Sequence, residues 1–296
     1  MGYVDADGHV EESLATFDDK YLDPNFRAQR PRVVGVDGLV YWDIDEQLFP
    51  RRVGRGCNNL GTPTSYDGKP AIHSAGKPES IGCMELTDLG ARLKIMDEEE
   101  IAVQVLYPTL FLAYPLSSNP AFVTALCSSY NRWLGDWLSG HERLKWAAVV
   151  NLDDVKAAAQ EVREVKRLGA AAVMVLGTAG DRQLDDPQLF PFYEAICDAG
   201  LPLAIHVGPL HDRPLEPPLS KPGENFGQVS ASNQADSSAA GYGVHQAGKS
   251  FLQRGTRRFY FTAGDGSRGR DASRDGNRYA PRRPRTFRRA PSGKAK

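Results

Sequence analysis

One pattern narrows the fold of this chain more than any other. Between residues 84 and 207, four uniformly apolar runs, IAVQVLYP, LKWAAVVNL, AAAVMVLG and LPLAIHVG, are each separated from the next by one helix-like segment. A strand with one face in water alternates apolar and polar residues, whereas a strand that is apolar throughout is covered on both faces. Such runs, spaced by single helices, predict a parallel sheet wrapped by helices. Strands are expected near residues 101, 144, 170 and 201, after a first one in YVDADGHV.

The segments between the runs carry helix signals of their own. ELTDLGARLKIMDEEE places Leu89, Leu93 and Met96 at the spacing of one buried stripe. In NPAFVTALCSSYNRWLGDWLSG, Asn119 stands as N-cap with Pro120 at the first helical position, and Phe122, Leu126, Tyr130, Trp133 and Trp137 are expected along one face. DDVKAAAQEVREVKRLG predicts a helix with Val155, Ala159, Val162 and Val165 inward and Gly169 as its stop. DPQLFPFYEAICDAG repeats the Asp cap, the early Pro and the closing Gly.

Two regions break the rhythm. Residues 23–82, rich in Pro, Gly and Arg with β-prone pieces such as GLVYWDID, are expected to form an inserted flap over one end of the sheet. From residue 254 to 296 the chain holds 12 Arg and 2 Lys against 3 Asp, and no Val, Ile, Leu, Met or Trp follows Phe261. Residues 262–296 therefore read as a basic disordered tail behind a folded part spanning 1–261. An Arg-rich arm for nucleic acid is the alternative use of that tail. It would show salt-dependent binding, lost on deleting residues 262–296.

Composition excludes several classes. The chain of 296 residues, 41% hydrophobic and 25% charged, is long enough for one barrel of roughly 250 residues. No apolar run approaches the roughly 18 residues of a membrane helix, and the acidic start does not read as a secretory signal, so a cytoplasmic protein is expected. Cys57, Cys83, Cys127 and Cys197 form no C-x-x-C pair and are expected as buried reduced thiols. No G-x-G-x-x-G opens a helix, and no P-loop, G-x-S-x-G or H-E-x-x-H motif occurs.

The chemistry is expected at the first strand. In VDADGHV a regular strand would put Asp5, Asp7 and His9 on one face. Burying unpaired carboxylates is costly, and a divalent cation would remove that cost. Carboxylate and imidazole together suit zinc first, with manganese or iron as alternatives. His206, at the C-terminal end of the apolar run LPLAIHVG, is the candidate further ligand. Tyr107 and Thr109 in VLYPT follow a strand end, where they either line a substrate pocket or pack. His73, His141, His211 and His245 fall in loop-like sequence and read as surface histidines, although His211 and His245 could approach the site.

These motifs resemble the amidohydrolase superfamily, in the branch that contains aminocarboxymuconate semialdehyde decarboxylase and the resorcylate-type decarboxylases. The branch opens on a strand carrying H-x-H or E-x-H, and DADGH sets Asp7 and His9 at those two positions. RLKIMDEEEIAVQVLYPT is similar to the second helix and strand of the family, and LPLAIHVG to the fifth strand, which delivers a third ligand at His206. The resemblance implies a TIM-like α/β barrel, one divalent metal, and a metal-activated water or substrate. Asp7 departs from the family by replacing His or Glu. The family also takes a final Asp from an eighth strand. Here RRFYFTAGDG resembles a sixth strand, with Thr262 or Ala263 where relatives carry Glu or His, so the barrel reads as incomplete. Asp265 and His245 are the candidate proton-handling residues.

The expected function is a metal-dependent hydrolase or nonoxidative decarboxylase acting on a small carboxylate-bearing or cyclic substrate. The alternative is a truncated or frameshifted relative that keeps a partial fold without turnover. Neither membrane nor nucleic acid is expected as a partner, and a homodimer is left open.

Overall fold

The computed structural model describes residues 2–51, 61–67, 69–71, 81–113, 115–179 and 182–206. All of them fall within the unit Met1–Asp265. The expected tail, the strand RRFYFTAGDG, His73, His211, His245, Asp265 and Cys57 lie outside the described residues.

Five strands form one parallel sheet, in sequence order from edge to edge. They are β1 (Tyr3–Val10), β2 (Ile101–Pro108), β3 (Leu144–Val149), β4 (Ala172–Leu176) and β5 (Leu203–His206). The connecting helices are α1 (Leu89–Glu98), α2 (Pro120–Trp137), α3 (Val155–Arg167) and α4 (Phe190–Ala199). The predicted alternation is present, and among the described residues the sheet is part of a barrel, open at β1 and β5.

Local chemistry sets the helix ends. The side chains of Asp88, Asn119 and Asp154 each accept backbone N–H groups of the first turn, which no carbonyl inside the helix can reach. Gly200 closes α4 in the left-handed region at φ 61°. The α4 segment differs from expectation at its start. Asp186 and Pro187 open a short 3-10 turn, Pro187–Leu189, and the α-helix begins only at Phe190.

Two burial expectations are corrected. On α2, Phe122, Leu126, Tyr130 and Trp133 are buried as expected, but Trp137 is 41% exposed and its indole N–H donates to the Leu86 carbonyl. At 100° per residue Trp137 still falls within the stripe, but it is the last residue of the helix. Cys83 and Cys127 are buried, whereas Cys197 on α4 is exposed.

The insertion is built from antiparallel pieces. Arg32–Val36, Leu39–Ile44 and Gln47–Phe49 make a three-stranded sheet, and Ser65–Tyr66 pairs with Lys69–Pro70. Its two hairpin turns, Asp37–Gly38 and Asp45–Glu46, hold both residues at positive φ, the geometry that matches the twist of adjoining strands. Trp42 meets Phe17 edge to face at 5.8 Å, and Ser117 donates to Asp45 at 2.5 Å. Phe17 follows the C-terminal end of β1 and Ser117 that of β2, so the insertion is fastened at that end of the sheet.

Candidate metal centre

The site is assembled by an irregularity in β1. Asp5 pairs with Gln104 and Gly8 with Leu106, so three steps along β1 match two along β2. One extra residue is accommodated between them, a β-bulge, and every side chain beyond it changes face. Asp5 accordingly lies on the helix-covered side, where its Oδ2 accepts from Gln104 Nε2 at 2.5 Å. Asp7 and His9 turn to the opposite side. The expectation that all three residues share a face is corrected by this bulge.

On that inner side, Asp7 and His9 meet His206 from the far edge of the sheet. The Nε2 atoms of His9 and His206 are 3.2 Å apart. Asp7 Oδ1 lies 3.3 Å from His206 Nε2 and 3.9 Å from His9 Nε2. Candidate ligand atoms of the three residues all fall within 4.8 Å of one another. An ion with bonds of roughly 2.0–2.2 Å spaces neighbouring donors roughly 3.0–3.6 Å apart, so the two separations to His206 fit a single divalent cation, and the Asp7–His9 separation of 3.9 Å is slightly wider than that range.

The ring of His9 is oriented for that role. Its Nδ1 lies 3.1 Å from the Pro108 carbonyl, which can only accept, so Nδ1 carries the hydrogen and Nε2 of the neutral ring keeps its lone pair toward the site. Burial, reinforced by the His206 ring, pushes the pKa of His9 below the usual 6.5 against the opposing pull of Asp7. Hydrogen bonding to His206 holds the Asp7 carboxyl below its usual range, with burial opposing. Both shifts favour the deprotonated, ligating forms.

Tyr107 and Thr109 have different placements. The Tyr107 ring stands 5.3 Å from that of His206 and 6.2 Å from that of His9, forming a wall beside them. Thr109 is buried, and its hydroxyl donates to the Val10 carbonyl at 2.8 Å, tying β1 to β2.

Sequence reasoning missed two carboxyls beside the site. Glu12 is 2% exposed, and its Oε2 accepts from the amides of Leu110 at 2.8 Å and Thr109 at 3.3 Å. Burial, with the Glu11 charge adding, pushes its pKa up to about 8. Glu11 is pushed up to about 7 by burial and by Glu85. A run of H-V-E-E after a strand reads as solvated loop. Only the later segments Met84–Leu86 and Thr109–Leu110, folded against it, make it an interior.

The fold is shared with a solved protein. An amidohydrolase from Mycobacterium avium subsp. paratuberculosis K-10 superposes with a TM-score of 0.52 at 21% identity, covering 70% of this chain and 59% of that one. The 2,6-dihydroxybenzoate decarboxylase from Rhizobium aligns at 21% identity and TM-score 0.45, over 57% of this chain and 53% of its own. The manganese-bound 5-carboxyvanillate decarboxylase from Novosphingobium aromaticivorans DSM 12444 aligns at 24% identity and TM-score 0.37, over 40% and 34%. This chain thus spans about 59% of the length of the first of these. No curated protein matches it. The amidohydrolase family model matches residues 85–250, more than half of the sequence. By that match the chain belongs to the amidohydrolase family.

Proposed function

We propose that this protein holds one divalent metal ion between Asp7, His9 and His206 and acts on a small carboxylate-bearing or cyclic substrate. The observation that supports the reading is the convergence of these three side chains from the two edges of the sheet, with ligand atoms within 4.8 Å. Zinc suits one carboxylate and two imidazoles, and manganese or iron is compatible with the same donors. A divalent ion in this position supplies Lewis acidity, either toward water for hydrolysis or toward a substrate carboxylate for loss of CO2. Pro108 fixes the ring of His9, and the buried ring of Tyr107 packs beside the two imidazoles.

The test is metal loading. Metal-depleted protein is incubated with Zn2+ or Mn2+, desalted and assayed for bound metal. About one ion per chain is expected, with affinity falling at least about tenfold in His206→Ala and Asp7→Ala. A chain that emerges without metal ends the reading. Loaded protein is then offered aromatic carboxylic acids and cyclic amides, so that CO2 release or ring opening identifies the reaction.

The second reading, a partial fold without turnover, draws on the outer edge of β1, where Tyr3 and Val4 are 69% and 65% exposed. An exposed apolar edge promotes association. It would appear as metal-free, polydisperse protein in light scattering.

A further inference from the structure

The polar groups on the helix side of β1 form a continuous chain. Asp5 Oδ1 accepts from the amide of Asp7 at 3.0 Å, closing the bulge with the strand's own side chain. Asp5 Oδ2 accepts from Gln104 Nε2 at 2.5 Å. Gln104 Oε1 accepts from Arg92 Nε at 2.8 Å, and the Arg92 guanidinium donates to the carbonyl of His9 at 2.9 Å. The chain thus starts at one end of the stretch Asp5–His9 and finishes at the other. Gln104 is 7% exposed and Arg92 8%, so both are interior groups. Interior charge of this kind is tolerated only when its donors are occupied.

Gly8 is part of the same arrangement. A Cβ at Gly8 would stand 2.6 Å from Gln104 Cγ and 2.8 Å from Nε2, so the amide of Gln104 lies across the bare backbone of β1. Any larger residue there would push Gln104 away from Asp5.

From this geometry we propose that Asp5, Gln104 and Arg92 are positioning residues, a brace that holds the bulge and thereby turns Asp7 and His9 together toward His206. The inference rests on the proposed metal centre for its functional consequence. Its reason is the period of two in a strand. With Asp5 held on the helix side, a regular strand would carry Asp7 and His9 to that side as well. One extra residue between Asp5 and Gly8 reverses both, and the brace bonds the two ends of the reversed segment.

The test exchanges the polarity of the brace. Gln104→Glu sets a carboxylate against that of Asp5, and Asp5→Asn sets an amide against an amide. In the double variant D5N/Q104E, the Asn oxygen accepts from Asp7 and its NH2 donates to the new carboxylate at position 104. That carboxylate accepts from Arg92, so every bond is remade. Binding of Co2+ is read from its visible absorption, at a temperature where circular dichroism shows each variant folded. Each single variant is expected to weaken Co2+ about 10–100-fold and alter the spectrum, with the double variant recovering to within about threefold of wild type. Nuclear Overhauser contacts between the His9 and Tyr107 rings in metal-free protein give a second readout, lost in the singles and regained in the double. Folded single variants with wild-type Co2+ affinity, spectrum and ring contacts would overturn the brace. If wild-type protein binds no Co2+, the metal centre falls, and the ring contacts alone then decide the brace.

Discussion

The Nε2 atoms of His9 and His206 face each other at 3.2 Å across 197 residues of sequence. Two imidazoles this close cannot both be charged without mutual repulsion, and burial adds to the cost of charging His9. The folded state therefore binds fewer protons at His9 than the unfolded chain does near pH 6.5. Stability from this group is present above about pH 6.5 and is lost as pH falls through the lower folded value. Asp7 acts in the same direction at lower pH, because its folded value lies below 3.8. Metal-free protein followed by thermal denaturation from pH 7.5 to 4 should lose stability, and His9→Gln should reduce that loss. An unchanged pH profile in His9→Gln would show that the pair does not carry it.

Glu12 works the other way. Its folded value of about 8 lies above the usual 4.5, so the folded state holds a proton that the unfolded chain releases. Its contribution is full below about pH 4.5 and is lost as pH rises through 8, with a slope of at most about 1.4 kcal/mol per pH unit. Glu12→Gln keeps an oxygen for the Thr109 and Leu110 amides and removes the ionisation. Urea denaturation at pH 6 and pH 8.5 should show the variant gaining stability relative to wild type at both, with the larger gain at the higher pH. Equal gains at both values would mean that the carboxyl does not titrate in this range.

The two tryptophans of α2 give a packing test. Trp133 is 2% exposed and Trp137 41%. Trp133→Ala should cost about 3–5 kcal/mol through lost burial and the cavity left behind. Trp137→Ala should cost about 1 kcal/mol, chiefly the indole hydrogen bond to Leu86. Chemical denaturation of both variants checks the contrast, and similar costs would contradict the burial described.

Much of the fold was legible because its signals are local. Asn119 caps α2 through amides two and three residues on, and Gly200 ends α4 by its own backbone freedom. The apolar runs at β2 to β5 state their double coverage directly in composition. The residue types of the candidate site were legible too, since Asp7 and His9 share the first strand and His206 ends an apolar one. What misled was the regular alternation assumed for β1. Nothing in VDADGHV announces an extra residue, because a bulge depends on the partner strand.

The sequence by itself determined the order of strands and helices, since caps, apolar runs and the 3.6-residue stripe act over a few residues at a time. Only the tertiary structure decided which way Asp5, Asp7 and His9 point. Gln104, 99 residues from Asp5 along the chain, takes Asp5 to the helix side. Pro108, equally far from His9, sets its ring, and β5 brings His206 to meet it. Such contacts exist only after the chain has closed on itself, because a strand's register is a property of the pair and not of either strand.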